Sequence, residues 1–199
     1  MTSDVPVAGL VLAAGGGRRY GMPKALVEYG GSLLVERAVR TAAAVCDPVL
    51  VVLGAQAVDV WRRADLSEAV VLANADWETG MASSLRTGLD GLRGWPGRVD
   101  AVLVQLVDMP GMTPAALDRM AEHAAPDALA VAAYDGVRGH PVLLGRDHWA
   151  GVAATATGDE GARRYLAAHD VVEVDCTGLA DPTDLDVPPA SPPDQPPQR

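Results

Sequence analysis

A glycine-rich segment with three basic side chains is the part of this chain best suited to chemistry. It runs from Leu12 to Lys24, reads LAAGGGRRYGMPK and contains Arg18 and Arg19. Glycines at the end of a strand let backbone N–H groups approach an anion closely. The basic side chains stand out in a chain whose formal net charge is −10. We predict that this segment, the glycine loop, binds a polyphosphate. The alternative is a strand-to-helix turn with solvated basic residues.

Two familiar phosphate-binding patterns do not match the glycine loop. The dinucleotide fingerprint G-x-G-x-x-G requires glycine where the chain has Tyr20, and the phosphate loop G-x-x-x-x-G-K-[ST] requires lysine where it has Met22. The loop nevertheless follows the first apolar run, and ligands of α/β sheets bind at the carboxyl ends of strands. This placement favours an anion site of another type.

Carboxylates in two places could hold a metal ion. Asp108 follows the apolar run Ala101–Leu106 directly. At the end of a central strand it would repel a triphosphate, but with Mg²⁺ between them it would clamp one. Asp184 and Asp186 lie two residues apart, and Asp186 could supply a second ligand. The alternatives are a carboxylate that caps a turn and ordinary acidic residues beside a polar tail.

Three further motifs carry polar side chains that could contact a ligand. Asn74 precedes a predicted helix that begins near Ser83 and Ser84, whose hydroxyls would suit a base edge, a ribose or a phosphate. Arg138 and His140 lie in a turn that enters a strand. The segment GDEGAR, residues 158–163, starts a predicted helix with Asp159 as its cap. The alternative for its arginine is that it does no more than pair with nearby acidic side chains. Simple capping is the alternative for the serines, and a structural role is the alternative for the histidine.

The spacing of apolar runs predicts the elements that position these residues. Continuous Val and Leu runs are typical of strands covered on both faces, and they alternate with helical segments. The predicted strands are Val7–Leu12, Val49–Leu53, Val70–Leu72, Ala101–Leu106, Leu129–Ala132, Pro141–Leu144 and Val171–Val174. The predicted helices are Ser32–Ala44 with Ser32 as a cap, Val58–Ala64, Ala82–Leu92, Pro114–His123 with Thr113 as a cap, and Gly161–Ala168. This rhythm indicates an α/β fold in three layers around a mostly parallel sheet.

Composition excludes several classes of protein. No apolar stretch reaches about 18 residues, so we expect no membrane span. We expect no signal peptide, and Cys46 and Cys176 are predicted to be buried free thiols of a cytoplasmic protein. The acidic balance argues against nucleic acid as a partner. We predict one domain over residues 1–187. Residues 188–199 hold six prolines and are predicted to form a disordered tail, with a proline-rich recognition segment as the alternative.

Taken together, these motifs resemble those of the MobA-like nucleotidyltransferases. The matching segments are L-A-A-G-x-G-x-R-x-G-x-P-K from Leu12, N-x-x-W-x-x-G-M-x-S-S-L from Asn74, D-M-P from Asp108, R-G-H-P from Arg138 and G-D-x-G-A-R from Gly158. They span nearly the whole of residues 5 to 188. The branch that the chain resembles most is molybdenum cofactor cytidylyltransferase, because L-A-A-G replaces the L-A-G-G of guanylyl-transferring relatives. The family's usual D-x-D-T-P-x-D-L ending is shortened here, since Val187 replaces the threonine.

The resemblance implies a Rossmann-like (GT-A-like) α/β/α fold with a mixed sheet and a defined reaction. CTP would donate CMP to the phosphate of molybdopterin and release pyrophosphate, with Mg²⁺ held by Asp108 and Asp186. Arg19, Lys24 and Asp108 would be catalytic, and Arg138 and His140 would face the acceptor. The residues implied in nucleotide binding are Leu12, Ala13, Ala14, Gly15, Gly16, Gly17, Lys24, Asn74, Ser83 and Ser84.

The implied partners are small molecules, namely CTP and a molybdopterin-type acceptor, together with contact to a molybdoenzyme or its maturation factor. Two alternatives stay open. One is transfer from GTP or another nucleotide to molybdopterin, a sugar phosphate or a phospholactate. The other is a non-catalytic nucleotide-binding protein, which could dispense with the metal carboxylate or with the lysine.

Overall fold

The computed structural model describes residues 5–185. Nine strands follow one another along the chain: β1 (Val7–Ala13), β2 (Glu28–Tyr29), β3 (Ser32–Leu33), β4 (Val49–Leu53), β5 (Val70–Ala73), β6 (Ala101–Leu106), β7 (Leu129–Tyr134), β8 (Val137–Gly145) and β9 (Val172–Asp175). Seven of them form one sheet in the order β5-β4-β1-β6-β8-β7-β9, while β2 and β3 form a small hairpin. The central strands β1 and β4 are buried along their whole length, as their unbroken apolar runs predict.

One strand makes the sheet mixed. β1 pairs in parallel with both β4 and β6, and β7 pairs in parallel with β9. β8 is antiparallel to β6 and to β7. The prediction of a mostly parallel, mixed sheet within an α/β fold is therefore confirmed.

Helices cover both faces of this sheet. They are α1 (Leu34–Ala43), α2 (Ala57–Arg63), α3 (Met81–Arg93), α4 (Pro114–Ala121), α5 (Trp149–Thr155) and α6 (Arg163–Leu166). Buried side chains of α1 and α4 join one apolar cluster with one face of the sheet. Those of α3 and α5 join a second cluster with the opposite face. The result is the three-layer arrangement that the sequence predicts.

The caps of two helices differ from the predictions. Ser32 lies in β3 rather than at a helix cap, and α1 begins at Leu34. There the Glu36 carboxylate accepts a hydrogen bond from the backbone N–H of Leu33 at 3.0 Å, so a tight hairpin takes the place of the predicted first turn. Asp159 does not cap α6, because its Oδ1 accepts from the N–H of Met81 and caps α3 instead. Thr113 caps α4 as predicted.

The order of the strands creates a crevice beside β1. From β1 the chain passes to β4 and β5 on one side and then returns to β6 on the other side. At such a reversal the loops that leave the two neighbouring strands diverge, and open α/β sheets bind ligands there. The glycine loop leaves β1, and the segment with Asp108 leaves β6. Topology thus brings the two strongest sequence motifs together.

Both cysteines are buried and free, as predicted. Burial raises the pKa of the Cys46 thiol to about 12, and burial also raises the pKa of Cys176. Because the thiolate is the nucleophile, both groups stay protonated and inert near pH 8. We expect a thiol reagent such as DTNB to label neither cysteine in the folded protein and both in denaturant. Rapid labelling of the native protein would contradict this burial.

Parts of three predictions lie beyond the described residues. Asp186, the end of the predicted domain and the proline-rich tail 188–199 all belong to residues 186–199, which follow the described range. Among the helices that are described, none is long and apolar enough to cross a membrane.

Candidate active site

A cavity of about 610 Å³ opens at the carboxyl ends of β1 and β6. The glycine loop forms one wall, and the segment with Asp108 forms another. The start of α3 and the turn before it complete the cavity. Of the predicted site residues, those that line it are Leu12, Ala14, Gly15, Gly16, Gly17, Arg19, Lys24, Ser84 and Asp108.

Gly17 sets the shape of the glycine loop. Its φ is +60°, and its carbonyl oxygen accepts hydrogen bonds from the N–H groups of Tyr20 at 2.9 Å and Gly21 at 2.8 Å. A Cβ atom at this position would collide with the carbonyl oxygen of Met22. Only glycine therefore permits the loop to fold back on itself and return Lys24 to the cavity.

We expect Gly17→Ala to weaken CTP binding about tenfold or more, because a left-handed residue with a side chain costs about 1–2 kcal/mol before the collision is counted. Isothermal titration with CTP measures the effect. Gly94→Ala is a suitable control, since Gly94 ends α3 with a φ of −84° and a Cβ there meets only ordinary contacts. Equal CTP affinity of the two variants would contradict the role of the loop.

Lys24 and Asp108 form an ion pair at the floor of the cavity. The Lys24 Nζ lies 2.7 Å from the Asp108 Oδ2, and the two side chains are only 16% and 18% exposed. The other carboxylate oxygen of Asp108, Oδ1, is buried and has no hydrogen-bond partner within the described part of the chain. A buried carboxylate oxygen without a partner is costly unless something else binds it. Lys24 is also the only lysine of the chain.

Hydrogen bonds to backbone carbonyl groups, donated by two distant parts of the chain, fix the segment that carries Asp108. The Arg37 guanidinium, from α1, donates from Nε to the Pro110 carbonyl at 2.6 Å. The N–H of Leu185 donates to the Asp108 carbonyl at 2.8 Å. This second bond holds Asp184 beside the cavity, which its side chain lines. Neither contact could be predicted from the sequence, because both join segments that are far apart in it.

Asn74 and the two serines form a buried hydrogen-bonded group. The Asn74 Nδ2 donates to the Ser83 Oγ at 2.8 Å and to the Ser84 Oγ at 3.0 Å. Only Ser84 lines the cavity, while Asn74 and Ser83 lie behind its wall. The polar atoms of Asn74 and Ser83 bind one another, and neither residue lines a cavity. This favours a structural role for both residues over direct contact with a nucleotide.

Trp77 is a cavity residue to which the sequence reasoning gave no role. It belongs to the N-x-x-W motif, in the turn before α3, and its ring lines the cavity. A Cβ on Gly16 would lie 3.0 Å from this ring, and one on Gly54 would lie 2.5 Å from the tryptophan's own Cβ. These close contacts hold the indole ring against the glycine loop. The N-x-x-W motif could have indicated from the sequence that Trp77 belongs to the site.

A second cavity, of about 360 Å³, adjoins the first. Asp159 and Asp184 line both of them. Arg138 and His140 line the second cavity, as the predicted acceptor side requires. The two predicted acceptor residues line only the second cavity, whereas the predicted nucleotide residue Leu12 lines both, and Ala13 lines neither.

The two predicted acceptor residues have partners of their own. Arg138 pairs with Glu173, with its Nη2 at 2.7 Å from the Oε1. The His140 ring lies 3.3 Å, at Nδ1, from the Val104 carbonyl oxygen. Burial lowers the pKa of His140, against a smaller opposing effect of that hydrogen bond. His140 is therefore neutral near pH 7 and bonded to the backbone.

The GDEGAR segment joins the two cavities. Gly158 accepts a hydrogen bond from the N–H of Ala82 at 2.9 Å, beside the bond from Met81 to Asp159. Gly80 packs so closely on Gly158 that a Cβ would lie 2.5 Å from the Gly158 carbonyl oxygen. This segment, 78 residues away in sequence, therefore closes the first turn of α3.

A cavity between a glycine loop and a strand-end carboxylate, at the carboxyl ends of parallel strands, is where an α/β protein binds a nucleotide. The MobA-like NTP transferase domain model matches residues 9–174, and the chain belongs to this family. The resemblance found in the motifs is thereby confirmed.

Individual relatives extend over nearly the whole chain. A nicotine blue oxidoreductase of Paenarthrobacter nicotinovorans is 36% identical over 196 residues, which cover 92% of this chain and 94% of that protein. Rv0371c of Mycobacterium tuberculosis H37Rv superposes with a TM-score of 0.79 and 28% identity, covering 93% of this chain and 95% of that one. A manganese complex of Rv0371c matches with a TM-score of 0.70 and 27% identity, covering 87% and 90%.

Proposed function

We propose that this nucleotidyltransferase transfers CMP from CTP to the phosphate of molybdopterin and releases pyrophosphate. The observation that carries the proposal is the ion pair of Lys24 with Asp108, at 2.7 Å, beneath a glycine loop whose neighbouring cavity can hold an acceptor. Ala14, at the position of the first glycine in the L-A-G-G of guanylyl-transferring relatives, supports a pyrimidine nucleotide.

The proposed step is an in-line displacement at the α-phosphorus. An oxygen of the acceptor phosphate forms the new bond, and the bond from the α-phosphorus to the bridging oxygen breaks. The acceptor oxygen is already anionic near pH 7, so alignment and charge neutralisation matter more than a strong base. We assign the backbone N–H groups of Gly15–Gly17 to the triphosphate. Arg19 and Lys24 stabilise the negative charge that develops on pyrophosphate.

A divalent ion fits beside Asp108. Its Oδ1 is buried without a partner in the described part of the chain, and hard cations such as Mg²⁺ prefer carboxylate oxygens. Residues 5–185 contain no group of three or more acidic, His or Cys side chains arranged to hold a metal. We therefore assign the ion to Asp108 together with Asp184 or Asp186, with phosphate oxygens and water as its other ligands. Bound there, Mg²⁺ or Mn²⁺ would neutralise phosphate charge.

The remaining predicted residues take supporting roles in this proposal. Leu12 and Ser84 line the nucleotide cavity, and Asn74 and Ser83 fix the wall that carries Ser84. His140 shapes the acceptor cavity from its bond to β6, and the pairing of Arg138 with Glu173 stiffens the opposite rim.

Turnover with each nucleotide tests the proposal directly. Purified protein, Mg²⁺ and molybdopterin are incubated with CTP, GTP, ATP or UTP, and pyrophosphate release is followed with a coupled enzyme. CTP should exceed the other three nucleotides by at least tenfold. Equal or better turnover with GTP would replace CTP by the guanylyl alternative. Turnover only with a sugar phosphate or phospholactate as acceptor would replace molybdopterin.

The relative that is named nicotine blue oxidoreductase favours a second candidate, a redox reaction on a planar heteroaromatic compound. The 36% identity over 92% of this chain is the observation in its favour. The absence of the dinucleotide fingerprint from the glycine loop argues against it. Decolourisation of nicotine blue with NADH or NADPH, measured without pyrophosphate release, would make this candidate the better one.

A further inference from the structure

Two arginines line the second cavity, and they differ in whether a carboxylate pairs with them. Arg138 makes two contacts with the same carboxylate, its Nε at 2.8 Å and its Nη2 at 2.7 Å from the Glu173 Oε1. Arg163 also lines this cavity, and within residues 5–185 no carboxylate forms an ion pair with it. Arg138 is thus already held by a carboxylate, whereas Arg163 has no such partner among the described residues.

The cavity needs such a cation to hold an anion. Asp159, Glu160 and Asp184 line it and repel a phosphate. The Asp159 carboxylate is also engaged, because its Oδ1 accepts from the Met81 N–H. Three carboxylates outnumber the two arginines of this lining, so the loss of Arg163 would deepen its net negative charge. A phosphorylated acceptor would then meet only Arg138, which is already paired with Glu173.

The local fold holds Arg163 at this cavity. The GDEGAR segment is bonded to the start of α3 through Gly158 and Asp159, and the N–H of Arg163 donates to the Glu160 carbonyl at 3.0 Å. Arg163 also lies close enough to the buried His140 to oppose its protonation, after the larger effect of burial. Arg163 is an exposed residue of this lining.

The rest of the lining is apolar. Leu85 of α3, Val104 of β6, Leu144 of β8 and Leu166 of α6 face the same space. An apolar lining favours the flat body of a fused-ring compound over a sugar, whose hydroxyl groups would lose their hydrogen bonds to water.

We propose that Arg163 binds the phosphate of the acceptor, a phosphomonoester carried on a fused heterocycle, and that Arg138 does not. This rests on the proposed function, in which that phosphate attacks CTP. The Arg163 guanidinium donates to the phosphate oxygens that do not attack, as a fork suited to such anions. Asp159 and Asp184, which line both cavities, mark the boundary that the attacking oxygen must cross.

The test compares four variants at three arginines in the CTP and molybdopterin reaction. Arg163→Met should raise KM for molybdopterin about tenfold or more, as expected for a lost charge-assisted hydrogen bond, while KM for CTP changes less than twofold. Arg163→Lys should recover part of the loss. Arg164→Met is the matched control, because Arg164 is the exposed neighbour on α6 and lines neither cavity, so its KM values should equal those of the wild type. Arg138→Met should change KM for molybdopterin less than threefold.

Binding without turnover separates this inference from the proposed function. Molybdopterin is titrated into each variant without nucleotide, and its own fluorescence reports binding. Weaker binding by Arg163→Met alone supports the inference even where CTP gives no pyrophosphate, an outcome that would refute only the proposed reaction. Unchanged binding and KM in Arg163→Met, or a larger loss in Arg138→Met, would overturn the inference. Melting temperatures within about 2 °C of the wild type exclude a folding defect.

Discussion

Lys24→Met should lower kcat for pyrophosphate release by about a thousandfold while changing KM for CTP much less. Lys24 lines the cavity beside the glycine loop. We expect its ammonium to stabilise the negative charge that grows as pyrophosphate leaves. Loss of one pre-positioned donor of this kind typically costs about 10²–10³ in kcat. Methionine keeps an unbranched side chain of nearly the same length and removes the ammonium with its charge and its donors. Steady-state pyrophosphate release at saturating CTP and molybdopterin measures the effect.

Stability has to be separated from catalysis in this variant. Breaking the ion pair removes the Lys24 partner from a carboxylate whose other oxygen has none among the described residues, which costs about 3 kcal/mol of the free energy of unfolding. The double variant Lys24→Met, Asp108→Asn removes both charges and should regain most of that stability without regaining activity. A single variant that keeps its kcat within tenfold of the wild type would refute the role of Lys24.

The uniqueness of Lys24 offers a second readout of the same prediction. Because the chain has no other lysine, reductive ¹³C-methylation labels one side-chain amine besides the α-amine. Its NMR signal should move when CTP and Mg²⁺ are added together, since the ammonium exchanges a carboxylate environment for a phosphate one. An unchanged signal at saturating CTP would place the nucleotide elsewhere.

The sequence predicted the strands of the site well because buried parallel strands have a simple pattern. β1 and β6 are continuous apolar runs, and the functional segments follow them directly along the chain. Given the usual chain connections, Asp108 had to end at the same edge of the sheet as the glycine loop. The position of Asp108 relative to Lys24 was therefore predictable, whereas their 2.7 Å contact was not.

The direction of polar side chains was much harder to predict. Ser, Asn and Asp can bind nearby backbone or a distant segment equally well, and tertiary packing decides between them. Asp159 caps α3 rather than α6, and Asn74 turns inward to Ser83. The seven-residue helix α5 was missed for a related reason. Its few apolar residues form too short a pattern, and packing of Trp149 against the sheet stabilises it instead.

In the proposed reaction a single segment would serve both substrates. GDEGAR caps α3 beside the first cavity through Asp159, and its Arg163 lines the second cavity. Movement of this segment would alter both cavities together. Its hydrogen bonds to α3 would therefore hold the two proposed binding sites at a constant distance, as in-line transfer requires.

Asp108→Asn should abolish metal-dependent turnover. We expect kcat to fall by at least about a thousandfold in Mg²⁺ and in Mn²⁺ alike. Asparagine has the shape of aspartate, so the bonds of its backbone to Leu185 and of Pro110 to Arg37 should persist. What is lost is the negative charge at a buried oxygen that has no partner among the described residues. Asp181→Asn is the matched control, because Asp181 is exposed and lines neither cavity.

Metal binding tells whether Asp108 acts as a ligand or only as the partner of Lys24. Electron paramagnetic resonance counts free Mn²⁺ in the presence of CTP and without acceptor, so that nothing turns over. If Asp108 is a ligand, Asp108→Asn should release Mn²⁺ that the wild type and Asp181→Asn retain. If it only orients Lys24, Mn²⁺ should stay bound while kcat falls, and the metal would then belong to Asp184 or Asp186. The manganese complex of Rv0371c, at 27% identity, makes Mn²⁺ a suitable probe for this fold.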